Sequence, residues 1–300
     1  MATASRIKSS DKQKVCRKIV SILRKRYVES VPKQDRRVLE TMMYAVCLEN
    51  ASASQADSAY DRLGTLFHDL NEIRVSSVSE LEIAFDKMVH AAWRALRVKY
   101  ILQYVFENRF AFDFESLGRK TLELARKQLT KIKYLSPFVR SYTLQVCLGS
   151  HVVPLDDRMC RAAIWLGLVE PGTSPEKGSV ALKSAVRKAE TLTLCHYLRC
   201  LASDATVIKE FDCVKKSPPE DGFDLLSAPD RLNELLQQAK TRGKRKSARK
   251  KTAKKTTRRS AKKATKKATK KVTVRKKKQP AREKLKSQTR AKRTRAKTRS

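Results

Sequence analysis

Apolar residues recur at three- and four-residue intervals from about residue 12 to about residue 205, the spacing of one face of an α-helix. Residues 12–28 place Val15, Ile19, Ile22 and Leu23 on one side. Residues 35–48 are apolar on several sides and belong at the centre of a fold. Residues 52–70 open with small and polar side chains and continue through Ala59, Leu63 and Phe67. Ser79 is the expected cap of a helix running to about Val89. Helices over 93–108 and 117–131 follow, the latter with Leu122, Leu124 and Leu129 among its apolar positions. No apolar–polar alternation is long enough for a strand, and the sparse Gly and Pro fall between the helical stretches. The pattern predicts an all-α fold.

The stretch LTKIKYLSPFVRSYTLQVCLGSHVVPLDDRMCRAAIWLGL, residues 129–168, is the most informative. It predicts a helix end, a tight turn at Tyr134-Leu135, and a new helix capped by Ser136 with Pro137 in its first turn. That helix stops near Gly149. An extended HVVPLDD then delivers a pair of acids to a further helix beginning near Asp157. Either Asp156 or Asp157 can cap it, which is the ordinary role of an Asp at such a place.

Charge divides the 300 residues sharply. From residue 240 onward there are 31 Lys and Arg and one acid, Glu283, leaving +8 of the +38 net charge to the first 239 residues. Between Thr241 and Lys271 nothing is more apolar than Ala, so no core is expected and the segment should be disordered in isolation. Basic doublets recur there every four residues: Lys250-Lys251, Lys254-Lys255, Arg258-Arg259, Lys262-Lys263, Lys266-Lys267 and Lys270-Lys271. As a helix they would stack like charges, a cost that phosphates remove. Such a tail implies a polyanion partner, double-stranded DNA ahead of RNA because no aromatic or RGG element interrupts the lysines. A solubilising or targeting tail is the plain alternative. The Lys-Lys-Ala-Thr composition resembles the tails of linker-histone-like proteins.

No apolar run approaches the ~20 residues of a membrane span, and the first fifteen residues lack the apolar core of a secretory signal. The odd set of seven cysteines, mostly within apolar runs, fits reduced thiols of an intracellular protein. The expected setting is a DNA-associated monomer in a bacterial nucleoid or a nucleus, without membrane contact.

Three stretches resemble the helix-hairpin-helix DNA glycosylases of the endonuclease III superfamily: RRVLETMMYAVCLENASASQAD, AAWRALRVKYILQYV and, after the hairpin, VVPLDDRMCRAAIWLGLV. The resemblance spans about residues 11–205 and implies a two-lobed helical body, an expected domain over 11–212. A flexible 1–10 precedes it, and a linker (214–221) with a short helix (229–240) leads to the tail at 241–300. It implies that Asp156 falls on the family's catalytic Asp, stabilising an oxocarbenium-like transition state on a base flipped from the stack. The hairpin residues Lys133, Tyr134, Leu135, Ser136, Phe138 and Arg140 would then grip the DNA backbone.

Several positions depart from the family. Tyr134, Leu135 and Ser136 stand where it has a Gly-hydrophobic-Gly turn that brings amides to a phosphate. Phe138 occupies the place of the Schiff-base Lys and cannot be a nucleophile, so lyase activity is not expected. Ala45 stands near the place of the adenine-removing branch's catalytic Glu. Glu49 falls where a Gln often fills the gap left by the flipped base, and reads as a solvated helix-end carboxylate. Cys195, Cys200 and Cys213 do not reproduce the four-cysteine spacing of an iron–sulfur cluster, and no spaced His pair suggests zinc. No metal or cofactor is expected. Two functions remain open: a monofunctional glycosylase using Asp156, or a catalytically inactive relative that scaffolds or packages DNA.

Overall fold

The computed structural model describes residues 8–28, 30–33, 35–216, 219 and 222–242. The basic doublets from Lys250 to Lys271 lie outside the described residues. The described chain is helical, with no strand among its residues. Its α-helices are α1 (Ser9–Arg26), α2 (Val38–Leu48), α3 (Ala53–Leu66), α4 (Leu70–Val75), α5 (Val78–Glu82) and α6 (Ala91–Arg109). There follow α7 (Leu122–Thr130), α8 (Pro137–Leu148), α9 (Asp157–Trp165), α10 (Pro175–Lys183), α11 (Thr191–Ser203), α12 (Cys213–Lys216) and α13 (228–242).

Local chemistry sets the helix starts. Ser52 and Gln55 form a reciprocal box at α3, as do Ser77 and Glu80 at α5, while Asp69, Ser136, Asp156 and Ser174 each accept from a first-turn amide. Two expectations change as a result. The cap of α5 is Ser77 and not Ser79: Ser77 accepts from the Glu80 amide and the Glu80 carboxylate returns the bond, whereas Ser79 already lies within the helix. The single helix expected over 52–70 breaks at Phe67, which turns extended before Asp69 opens α4. The expected apolar face of α7 also shifts: Leu122 and Leu124 are exposed, and Ala125 and Leu129 are buried.

Two helical lobes share one core. In the first, α2 is buried at every residue except Glu40 and packs against α3, α6 and α8. In the second, α11 packs on α1 and α9. The C-terminal helix belongs to this body: Leu225, Ala228, Leu232, Leu235, Leu236 and Ala239 are buried in the core. Gly167, at φ +69°, admits that segment, since a Cβ there would stand 2.4 Å from the Phe223 carbonyl. The stretch read as a linker from Val214 therefore begins with a helix whose Val214 is buried, and the compact unit runs to Ala239.

Candidate functional site

The hairpin forms because α7 runs out of apolar positions at Ile132 and α8 is opened by Ser136 and Pro137. The Ser136 hydroxyl accepts from the Val139 amide at 3.2 Å. Between the helices Tyr134 takes φ +60°, a left-handed backbone that Gly adopts freely and a Tyr rarely does. Leu135 and Phe138 are buried in the core, Phe138 under the Arg199 guanidinium at 5.1 Å. Lys133 and Tyr134 are exposed, and Arg140 is paired with Glu176 at 3.1 Å.

Asp156 closes the junction between the lobes. Its Oδ1 accepts from the Met159 amide at 2.8 Å, which makes it the cap of α9. Its Oδ2 accepts from the Asn50 amide at 2.9 Å, in the turn after α2, and lies 3.6 Å from Arg199 of α11. Asn50, at φ +53°, returns the bond by accepting from the Arg158 amide at 3.3 Å. The Asp156 side chain is 2% exposed and that of Arg199 8%. Capping thus falls to Asp156, and Asp157 stands exposed beside it.

The end of α2 is held by two buried arginines. Arg94 donates to the carbonyls of Val46, Cys47 and Glu49, and Arg199 donates to Leu48 at 3.1 Å. Together they satisfy the carbonyls a helix end leaves open and place positive charge at its negative pole. Beside them a cavity of about 320 Å³ is lined by Glu49, Asn50, His90, Trp93, Arg94, Arg97 and Asp157. Glu49 is not the solvated carboxylate expected at a helix end: its side chain is 13% exposed and pairs with Arg97. Burial raises its pKa, against the lowering effects of Arg97 and a hydrogen bond with the Ser136 hydroxyl. Asp156 itself does not line this cavity.

The body is similar to endonuclease III. A trapped endonuclease III–DNA covalent intermediate matches at 13% identity and a TM-score of 0.48, over 65% of this chain and 85% of that one. A thermostable thymine-DNA glycosylase matches at 12% and 0.49, over 65% and 88%. The 3-methyladenine DNA glycosylase MagIII of H. pylori, bound to 1,N6-ethenoadenine, matches at 14% and 0.48, over 65% and 96%. No protein-family model matches the chain, and no curated protein does.

The cysteines do not fit a four-iron cluster. Cys195 is buried against Gln145, Cys200 is half-buried and Cys213 is exposed. Among the described residues no three His, Cys, Asp or Glu are grouped to hold a metal ion, and no helix is long and apolar enough to cross a membrane. Sequence reasoning missed Arg94 and Arg199. Both carry a usable signal, because each charge sits on the apolar stripe of its helix, Arg94 with Val98, Ile101 and Val105, and Arg199 with Cys195, Leu198 and Ala202.

Proposed function

We propose that this protein binds DNA as a base-excision-repair-type scaffold, with the exposed hairpin residues and the basic C-terminal segment on the backbone, and that Asp156 serves the fold instead of base removal. The partners of Asp156 carry this reading. A carboxylate that stabilises a cationic sugar must be able to reach it and must bring charge that no cation has already answered. Both oxygens of Asp156 already accept backbone amides, Arg199 sits against one of them, and the side chain is sealed from solvent. The place of the Schiff-base Lys is filled by buried Phe138.

The test is incubation of the purified protein, with and without Asp156→Asn, on duplexes bearing uracil, alkylated, oxidised or abasic sites. Stable binding with no Asp156-dependent base release is expected. Base release abolished by Asp156→Asn, in a variant whose circular dichroism is native, contradicts the reading. One observation favours a monofunctional glycosylase: the cavity that opens on Glu49, a buried carboxyl of raised pKa. That enzyme would lose base release in Glu49→Gln and keep it in Asp156→Asn.

A further inference from the structure

Helix α6 carries Trp93, Arg97 and Tyr100 at i, i+4 and i+7, one stripe along its surface. The turn between α7 and α8 brings Tyr134 onto that stripe, 6.0 Å from the Trp93 ring and 4.8 Å from that of Tyr100, edge to face. Trp93 is 51% exposed and Tyr134 49%, whereas the second tryptophan, Trp165, is buried. Tyr134 keeps this place in a left-handed backbone that a glycine would adopt without strain, so the ring is held against a local cost.

Two lysines flank the hairpin ring in the chain, Lys131 and Lys133, both exposed. Of the two carboxylates at the adjoining cavity, Glu49 is neutralised by Arg97 and Asp157 stands exposed. An aliphatic protein partner would call for Leu, Ile or Met beside the rings. Flat aromatic faces among cations are instead the chemistry that stacks unpaired nucleobases while tracking their phosphates.

We propose that Trp93 and Tyr134 form a stacking platform for the unpaired bases of single-stranded DNA, as at a gap or a fork. This rests on the DNA-binding reading above and adds the form of DNA the body selects. The test uses the full chain with labelled oligo(dT) and with a duplex of equal phosphate number, following anisotropy and tryptophan emission. Saturating oligo(dT) is expected to quench Trp93. Trp93→Ala is expected to abolish the quenching and to weaken oligo(dT) binding about fivefold or more while leaving the duplex little changed, and Tyr134→Gly, in the hairpin, to weaken oligo(dT) binding by a larger factor than it changes duplex binding. Circular dichroism and the melting temperature of each variant separate a loss of binding from a loss of fold. Unchanged emission while anisotropy reports oligo(dT) binding overturns the proposal, as do equal oligo(dT) affinities for wild type and both variants. Quenching by oligo(rU) but not by oligo(dT) overturns it in favour of RNA. Absence of binding to either DNA overturns both this proposal and the function on which it rests.

Discussion

At the scale of single residues, burial decides what each group can do. Burial pushes the thiols of Cys16 and Cys47 up to about 12 and those of Cys160 and Cys195 up to about 11, far from the thiolate form. A disulfide reagent at neutral pH should label exposed Cys213 first and these four only on unfolding, as peptide mapping of a time course would show. Glu49 makes a prediction with a definite sign. Its folded pKa lies above the unfolded one, so its contribution to stability is present below the unfolded value and is lost as pH rises through the folded value. The melting temperature of Glu49→Gln relative to wild type should therefore move in the variant's favour between pH 4 and pH 7. A difference that stays flat, or falls, contradicts a raised pKa. The buried thiols were legible from the apolar runs that hold them, but Glu49 was not, since in the sequence it reads as a helix-end carboxylate. Its pairing with Arg97 spans 48 positions, and helical periodicity carries no information at that range.

Among the elements, the starts of α8 and α9 were legible, those of α4 and α5 were not, and neither were the partners of any helix. Ser136-Pro137 and Gly149 bound α8 as their chemistry requires, because capping is settled within four residues. The break at Phe67 was hidden because the apolar spacing runs on through it. Ser136 has two tasks, capping α8 and bonding to the carboxyl of Glu49. Ser136→Ala should thus cost about 1 kcal/mol or more in chemical denaturation, the usual loss of a cap. Ser136→Asp should restore the cap but set a second carboxylate beside Glu49, and so recover only part of that stability. Full recovery would show that the contact between Ser136 and Glu49 is unimportant.

For the whole molecule, the all-α fold and the charge split were both legible, since amphipathic spacing and net charge are properties of long windows, whereas two lobes were implied only by the family resemblance. The junction of the lobes was only half legible. The VVPLDD stretch marks Asp156, yet its partners come from positions 106 residues before and from α11 after it. Most of the net charge lies beyond residue 239, so removal of residues 243–300 should weaken duplex binding and flatten its salt dependence by several units of log K per log salt. An unchanged slope would place the phosphate contacts on the body.

On the proposed reading, Asp156 is committed to holding the lobes together. A double-mutant cycle on stability tests it without depending on which lesions are tried. Asp156→Asn leaves Arg199 buried without its counter-charge, and Arg199→Met leaves Asp156 in the same state. Each should cost about 3 kcal/mol in denaturant unfolding. The double variant should cost less than the two together, with a coupling of at least about 1 kcal/mol. Additive effects, or an Asp156→Asn variant as stable as wild type, would contradict the account and free Asp156 for chemistry.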